Sequence, residues 1–416
     1  MTIAPEKILL LQGPMGPFFS RLRRELEALG HEAHRLIFNA GDLLFDPRLM
    51  RHERAHFYRG AREEFGEYFR ALLERERFDA IVLFGDGRPL HRIAARVARE
   101  LGVQIEVLEE GYFRPHWITI ERGGVNGYSS LPREPEAYLS ADLEEPFISE
   151  PPAPEPVPPS FSRGALYSTL YVIAMRLGRP LFPRYEHHRP LTIWGETFYW
   201  VRSAIRKRLY RRLERGLEDA LAARLHKRFF LVPLQVHCDY QLKHSEFESV
   251  EAFIRVVLEG FARASAPDQA IAFKHHPMDR PYTNYKRFIE GEAARLGLKD
   301  RVFYIHDQDL NRLIDASLGV IVINSTVGLD AMGRGAPTLA LGRAIYRIKG
   351  LSFEGTLEEF LRAPSAPDAE LYAAFRRYVM ADSQSNGSLM RPLPGEASPT
   401  GVRFHARAPF GLGERR

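Results

Sequence analysis

Two groups of polar residues in the second half of the chain have the side chains needed to bind an anionic ligand. The first runs from Lys274 to Pro277 and the second from Asn324 to Gly328. Each follows a short apolar run that is typical of a buried strand in a parallel sheet. Ligands of open α/β sheets bind at the carboxyl ends of strands, and a helix that begins there offers N–H groups to an anion. These groups therefore predict a phosphate-binding pocket, and we expect its ligand to be a nucleotide.

Carboxylates follow two predicted strands in the first part of the chain, Asp86 after one and Glu109-Glu110 after the next. Transfer of a sugar with retention requires a carboxylate near the anomeric carbon and an acid/base partner. Successive side chains in extended backbone diverge, so we expect only one of the two glutamates to face the ligand, with Gly111 allowing a turn. Asp86 fits a helix N-cap better than Glu110 does. The catalytic candidates are Glu110, Glu109 and Asp86.

Other residues at predicted strand ends are candidates for binding. Gly13 and Gly16 lack the glycine spacing of a dinucleotide fingerprint, and we interpret their loop as one that approaches a sugar or an acceptor phosphate. Gln235 and Asp239 can hydrogen-bond a ligand or cap a turn. The nucleotide-binding candidates are Lys274, His276, Pro277, Ser325, Thr326, Gly328 and Gln235. The acceptor- or sugar-binding candidates are Gly13, Gly16, Asn39, Arg114 and Asp239.

Composition excludes several classes of protein. The single cysteine, Cys238, rules out an internal disulfide framework and suits a reducing cytoplasm, and no second cluster of Cys or His supports a metal site beside it. The formal net charge of +5 mildly favours anionic partners such as phosphates or a lipid surface and does not indicate nucleic acid. No apolar stretch is long enough to span a bilayer, and the N-terminus lacks the apolar core of a signal peptide.

Short apolar runs that alternate with helical segments predict two doubly wound α/β domains. The predicted strands are 8–11, 33–38, 80–84 and 104–108, and then 229–233, 270–273, 302–305, 319–323 and 338–341. Prolines between residues 150 and 159 exclude regular structure and indicate a linker. The predicted segments are an N-terminal acceptor and catalytic domain (1–150), a Pro-rich linker with a basic helix (151–228), a nucleotide-sugar domain (229–350) and a C-terminal helix with an irregular tail (351–416).

A basic amphipathic helix is predicted over residues 201–225. Apolar residues recur at every fourth position and form one stripe, while arginine and lysine crowd the other faces. Such a helix either lies on an anionic membrane surface or packs its stripe on a core with a solvated basic back. The sequence favours neither alternative. The stripe consists of Val201, Ile205, Leu209, Leu213, Leu217, Leu221 and Leu225.

Several motifs in this order resemble the capsule polysaccharide biosynthesis family of Gram-negative bacteria, in its KpsS/LipB branch. They lie at residues 10–19, 38–42, 109–115, 274–277 and 324–328. The resemblance implies a GT-B-like fold, with two Rossmann-like domains facing a cleft. It also implies a retaining β-Kdo transferase that moves Kdo (an acidic eight-carbon sugar) from CMP-Kdo to a phosphatidylglycerol-type lipid. Such an enzyme is cytoplasmic and peripheral to the inner membrane, and other capsule biosynthesis or export proteins are expected partners.

The resemblance also assigns roles to residues. Lys274 and His276, with Ser325 and Thr326, are expected to hold CMP, with no cofactor and no tightly bound metal. Glu110 takes the position of an aspartate in the Glu-Asp-Gly motif of related transferases. Two alternatives stay open: a non-enzymatic factor for capsule export or assembly, and a GT-B transferase that uses another nucleotide sugar.

Overall fold

The computed structural model describes residues 5–158, 161–187, 193–237, 245–393 and 400–402. The chain forms two compact units, here called unit 1 and unit 2. Unit 1 consists of Met1–Ser130, Glu150–Glu196 and Val379–Arg416. Unit 2 consists of Leu131–Ser149 and Thr197–Tyr378.

The two units interleave along the sequence, whereas the predicted segments are consecutive. The end of the chain returns to unit 1 because Gln384–Asn386 pairs with Trp117–Arg122 as an antiparallel strand. Residues 131–149 belong to unit 2, where the ring of Tyr138 packs on Phe375 and Tyr378 at centroid distances of 5.2 and 5.1 Å. These contacts join segments far apart in sequence, which composition alone does not reveal.

The strands form one sheet in each unit. In chain order they are β1 Lys7–Leu10, β2 Glu32–Ile37, β3 Ala55–Phe57, β4 Ala80–Phe84, β5 Gln104–Glu110, β6 Trp117–Arg122, β7 Phe229–Pro233, β8 Ala270–Lys274, β9 Val302–Ile305, β10 Gly319–Val322, β11 Thr338–Ala340 and β12 Gln384–Asn386.

Both sheets are doubly wound. The seven-stranded sheet of unit 1 has the order β12-β6-β5-β4-β1-β2-β3, in which β1 to β5 are parallel and β6 and β12 add antiparallel strands at one edge. The five-stranded sheet of unit 2 is parallel, with the order β11-β10-β7-β8-β9. The strand order reverses between β1 and β4 in unit 1 and between β7 and β10 in unit 2. Ligands of such sheets bind at these switch points.

The α-helices connect the strands and cover the sheets. They are α1 Phe18–Ala28, α2 Ala40–Leu44, α3 Phe65–Glu76, α4 Pro89–Glu100, α5 Glu136–Leu139, α6 Phe161–Leu177, α7 Ile193–Leu213, α8 Leu217–Asp219, α9 Val250–Ala264, α10 Lys286–Arg295, α11 Leu310–Ala316, α12 Val327–Gly333, α13 Leu357–Arg362 and α14 Ala369–Ser383. Within the described residues, no helix combines the length and the apolar character needed to cross a membrane.

The central strands are apolar on both faces because helices cover both sides of a parallel sheet. In unit 1, β1 and β4 carry Leu9 and Ile81 on one face, where they meet aromatic residues such as Phe69 of α3. The other face carries Ile8 and Val82, which pack with α1. In unit 2, the buried side chains of β7, β8 and β10 pack against α9 and α13 in one continuous core. This burial holds the strand ends, and therefore the candidate residues, in fixed positions.

Two predicted elements differ from the structure. The strand expected to end at Leu108 continues through Glu110 as β5, because Glu109 and Glu110 pair with Thr119 and Ile118 of β6. The helix expected over residues 201–225 ends with α7 at Leu213. The left-handed backbone of Gly216, with φ of 84°, separates α7 from the short turns that follow. The predicted α/β class, with two Rossmann-like doubly wound domains, is confirmed in the topology of each unit.

Candidate functional site

A hydrogen bond links the two strand ends at the switch point of unit 2. Gln235 lies two residues beyond β7, and its Nε2 donates to Oδ1 of Asn324, which follows β10, at 2.9 Å. Both side chains are largely buried. The nucleotide-binding candidate Gln235 therefore lies beside the Asn324 motif, at the position where Rossmann-like sheets bind their ligands.

The Lys274 motif lies one strand further away. Because β7 lies between β8 and β10, the Lys274 and Ser325 motifs follow strands that are not adjacent in the sheet. Lys274 is the last residue of β8, and its Nζ donates to the carbonyl oxygen of His306 at 2.7 Å. The pKa of Lys274 is lowered, mainly because burial penalises the charged ammonium. Gln235 occupies the intervening strand end and makes the three ends one continuous polar edge.

Two adjacent histidines after β8 have different environments. His276 is half-buried, and its Nδ1 accepts a hydrogen bond from the backbone N–H of Met278 at 3.2 Å, which caps the 3₁₀ turn Pro277–Asp279. The ring of His275 is buried, with its Nδ1 2.7 Å from the hydroxyl of Tyr304. Burial, followed by the nearby His306, lowers the pKa of His275 to about 3. His275 is therefore neutral near pH 7, and His276 is the imidazole nearer to solvent.

The residues after β10 form a short helical turn. The hydroxyl of Ser325 accepts from the backbone N–H of Val327 at 3.3 Å, and Thr326 is the N-cap of α12 without a side-chain cap bond. Since α12 has seven residues, its dipole is small, and the hydroxyls of Ser325 and Thr326 are the main polar groups here. Gly328 is required by packing, because a Cβ there would lie 2.3 Å from the hydroxyl oxygen of Tyr346.

Nothing in the sequence indicated that His237 pairs with Asp279, yet the two are in contact beside these strand ends. Nδ1 of His237 lies 2.5 Å from Oδ1 of Asp279, and the carboxylate of Asp279 is completely buried. Asp279 also accepts from the backbone N–H of His237 at 3.3 Å and from the hydroxyls of Thr283 and Tyr285 at 2.6 and 3.3 Å. The carboxylate therefore orients the imidazole and ties the loop after β7 to the turn after β8. Asp239, two residues further on, lies outside the described residues.

The two candidate glutamates of unit 1 diverge. Glu110 is exposed, and its Oε2 forms an ion pair with Nη2 of Arg114 at 2.8 Å. The side chain of Glu109 turns toward the end of β4, where its Oε2 lies 3.2 Å from the position of a Cβ on Gly85. Gly111 does not serve as a sharp turn. It is required because a Cβ there would lie 2.3 Å from the carbonyl oxygen of Trp117 on the paired strand.

Asp86 is buried at the end of β4, where its Oδ2 accepts from the backbone N–H of Val125 at 3.0 Å. Burial raises the pKa of the Asp86 carboxyl. Asp86 is not the N-cap of α4, because that position belongs to Arg88. Its carboxylate instead holds the loop that follows β6.

The acceptor candidates near β1 and β2 belong to a buried network. Asn39 caps α2 by accepting from the backbone N–H of Gly41 at 2.8 Å, and its Nδ2 donates to the hydroxyl of Tyr171 at 2.7 Å. A Cβ on Gly13 would lie 2.6 Å from Cγ of Phe19, and one on Gly16 would lie 3.0 Å from the ring of Tyr167. In the structure, these three residues contact neighbouring protein groups of unit 1.

The helix α7 presents its apolar stripe to solvent. Val201, Ile205, Leu209 and Leu213 are 55, 58, 47 and 69% exposed. The alternative that this stripe packs on a core is therefore wrong for α7, although Leu221 beyond the helix is buried.

The polar side of α7 packs instead. Nη1 of Arg206 donates to the carbonyl oxygens of Arg280 and Thr283 at 2.6 and 3.1 Å. The ring of Tyr210 stacks on His306 at a centroid distance of 3.6 Å. These polar contacts set the orientation of α7. As a result, the apolar stripe of the helix is exposed and lies beside exposed basic residues. Those residues are Lys207, Arg208, Arg211 and Arg212.

Comparison with known proteins identifies the family of this chain. Residues 79–389 match the family described as capsule polysaccharide biosynthesis protein. The chain is 38% identical over 386 residues to the capsule polysaccharide export protein KpsS of Escherichia coli, covering 92% of this chain and 97% of KpsS. The chain belongs to the capsule polysaccharide biosynthesis family, and the predicted resemblance is confirmed.

One more curated protein and one solved structure are similar to this chain. The chain is 38% identical over 388 residues to the capsule polysaccharide modification protein LipB of Neisseria meningitidis serogroup A / serotype 4A, covering 92% of this chain and 91% of LipB. Among solved structures, Thermosulfurimonas dismutans KpsC, beta Kdo 2,7 transferase, is similar to this chain, with 15% sequence identity and a TM-score of 0.38. The alignment covers 89% of this chain and 98% of the KpsC chain. A likeness at that level identifies neither the donor nor the acceptor of this chain.

Proposed function

We propose that this protein is a retaining β-Kdo glycosyltransferase, which moves Kdo from CMP-Kdo to a phosphatidylglycerol-type lipid in capsule biosynthesis. Membership of the capsule polysaccharide biosynthesis family supports the pathway. The observation that carries the proposal is the hydrogen bond between Gln235 and Asn324, which joins two strand ends at the switch point of unit 2. The side chain of His276, at the end of β8, extends this polar edge.

The proposed chemistry divides the work between the two units. Unit 2 binds the donor through Lys274, His276, Gln235, Ser325 and Thr326. CMP leaves with one phosphate, and a cation and hydrogen-bond donors at fixed positions stabilise the charge that develops on it.

Unit 1 binds the acceptor and carries the catalytic carboxylate, for which Glu110 is the first choice and Glu109 the second. A carboxylate that attacks the anomeric carbon and is then displaced by the acceptor inverts the configuration twice, which gives net retention.

We also propose that the protein works at the inner face of the cytoplasmic membrane as a peripheral enzyme. The exposed apolar stripe of α7 supports this placement, because it lies beside exposed basic residues. An interfacial helix combines these two features when it binds an anionic lipid surface. The enzyme could then bind a lipid acceptor while the lipid stays in the bilayer.

Thermal unfolding with CMP, UMP and UDP tests the donor. Stabilisation by CMP alone is expected, since a ligand that binds only the folded state raises the unfolding temperature. Stabilisation by UDP would indicate a transferase that uses another nucleotide sugar. Stabilisation by none of the three would favour a non-enzymatic export or assembly factor. An assay with CMP-Kdo and a phosphatidylglycerol acceptor then tests the transfer itself.

A further inference from the structure

Arg88 lies at the switch point of unit 1, in the position that corresponds to the Gln235–Asn324 pair of unit 2. It follows β4 and is the N-cap residue of α4. Its Nη1 donates to the carbonyl oxygens of Gln12 and Gly13, which follow β1, at 3.3 and 3.1 Å. The guanidinium therefore bridges the two strand ends between which the sheet order reverses.

The guanidinium of Arg88 has no carboxylate partner among the described residues. None of the ion pairs of the described chain includes it, and its hydrogen bonds to described groups are the two made by Nη1. The side chain is half-buried and lies over the ring of Phe84, with Cζ 4.9 Å from the ring centroid. Burying a cation without an anion is costly, and an anionic ligand beside Arg88 would offset that cost.

Two further observations describe the environment of this cation. Burial is the main reason that the pKa of Arg88 is lowered, whereas the phenol of Tyr171 and the carboxylate of Glu109 act in the opposite direction. The carboxylate of Glu109 is thus near enough to affect the pKa of Arg88, but the two side chains do not form an ion pair. Because two carbonyls fix one arm of the guanidinium, the plane of the remaining donors, Nε and Nη2, is held in a set orientation.

We propose that Arg88 binds a substrate oxyanion at the switch point of unit 1, through the two donors that the carbonyls of Gln12 and Gly13 do not use. Two parallel N–H groups of arginine match the paired oxygens of a carboxylate or a phosphate. The inference rests on the proposed function, in which both chemistries are available: the carboxylate of the sugar acid and the phosphate diester of the lipid acceptor. It adds a residue that none of the predicted binding sets contains.

Isothermal titration with two probes tests the proposal and identifies the source of the oxyanion. The probes are free Kdo, which offers a carboxylate, and dihexanoylphosphatidylglycerol, which offers a phosphate diester. Arg88→Gln is expected to weaken binding of one of them by roughly 10- to 100-fold, because a hydrogen-bonded charge is removed. Arg88→Lys, which keeps the charge but not the planar pair of donors, is expected to fall between the wild type and Arg88→Gln.

Arg92→Gln is the matched control, because Arg92 is an exposed arginine one turn further along α4. It should bind both probes as the wild type does. A loss confined to Kdo assigns the carboxylate, and a loss confined to the lipid assigns the phosphate. Unchanged affinity for both probes in folded Arg88→Gln would overturn the proposal, as would failure of the wild type to bind either.

CMP binding is measured in the same variants. It is expected to be unaffected by Arg88→Gln, because its proposed residues are in unit 2. A wild type that fails to bind CMP would count against the proposed function, while the two oxyanion probes would still decide the role of Arg88.

Discussion

Nε2 of Gln235 and Oδ1 of Asn324 are 2.9 Å apart and connect the ends of β7 and β10. The two residues are far apart in sequence, and each strand end alone carries only ordinary polar residues. Together they form the centre of a polar edge that has Lys274 and His276 on one side and Ser325 on the other. The proposed donor site therefore depends on the sheet order, in which β7 separates β8 from β10.

His276→Ala is expected to weaken CMP binding by about 1.5–3 kcal/mol, the usual contribution of a hydrogen bond to a charged group. His276 also caps the turn Pro277–Asp279, so the loss of the cap must be separated from the loss of the ligand contact. His276→Asn provides this control, because asparagine is a good N-cap but does not extend as far as an imidazole. Calorimetry should show weak CMP binding in both variants. Wild-type affinity for CMP in His276→Asn would show that His276 only caps the turn and does not contact the ligand.

Asp279→Asn is expected to lower the free energy of unfolding by about 2–4 kcal/mol. The substitution replaces one buried carboxylate oxygen, which accepts hydrogen bonds, by an NH₂ group that cannot accept them. The donors include His237, Thr283 and Tyr285. Thr283→Ala, which removes one of them, is expected to cost about 1 kcal/mol. Urea unfolding measures both. Equal losses in the two variants would show that Asp279 is not the centre of this network.

The acid stability of the protein should depend on His275. Its folded pKa of about 3 lies below the ordinary 6.5, so its neutral form contributes stability that is complete above about pH 6.5. That contribution is lost as the pH falls toward 3, because the unfolded chain takes up the proton first. His275→Gln should therefore lower the unfolding free energy more at pH 7.5 than at pH 5. His226→Gln, at an exposed position, is the control, and a pH-independent difference for His275→Gln would contradict the argument.

Replacing Arg208, Arg211 and Arg212 of α7 by Gln should reduce sedimentation with phosphatidylglycerol vesicles. Binding of the wild type should also fall with rising salt, because exposed charges are screened within about 10 Å at 0.1 M. The same change of net charge made at three exposed arginines of unit 1, Arg48, Arg51 and Arg62, is the control. If both triple variants lose binding equally, net charge rather than α7 determines the association.

Glu110→Gln should abolish transfer while the fold and CMP binding are kept, since an amide is a poor nucleophile. Glu109→Gln should be milder. Arg114→Gln, which removes the ion-pair partner of Glu110, should affect transfer less than Glu110→Gln does. Loss of transfer in Glu109→Gln alone would exchange the two roles. Full activity in both glutamate variants would exclude this strand end from the mechanism and leave Asp86 and Asp239 as the candidate carboxylates.

Local sequence was sufficient for much of the fold. Buried runs such as Ala80–Phe84 and Phe229–Pro233 coincide with the predicted strands, because a strand covered on both faces is apolar throughout. The strands β3, β6 and β12 were not predicted. Gln384–Asn386 is polar, and it is a strand because β6 offers it a free edge. The family resemblance was also visible in local motifs, because these can be recognised in the sequence without their spatial arrangement.

Tertiary structure decided which of these local features act together. The apolar stripe of α7 predicted either a core or a membrane, and the packing of Arg206 and Tyr210 on unit 2 turned the stripe to solvent. Likewise, the partners of Gln235 and Arg88 depend on strand order, which periodicity does not encode. The physical reason is that periodicity reports which residues leave water, whereas hydrogen bonds between strand ends depend on which strands become neighbours.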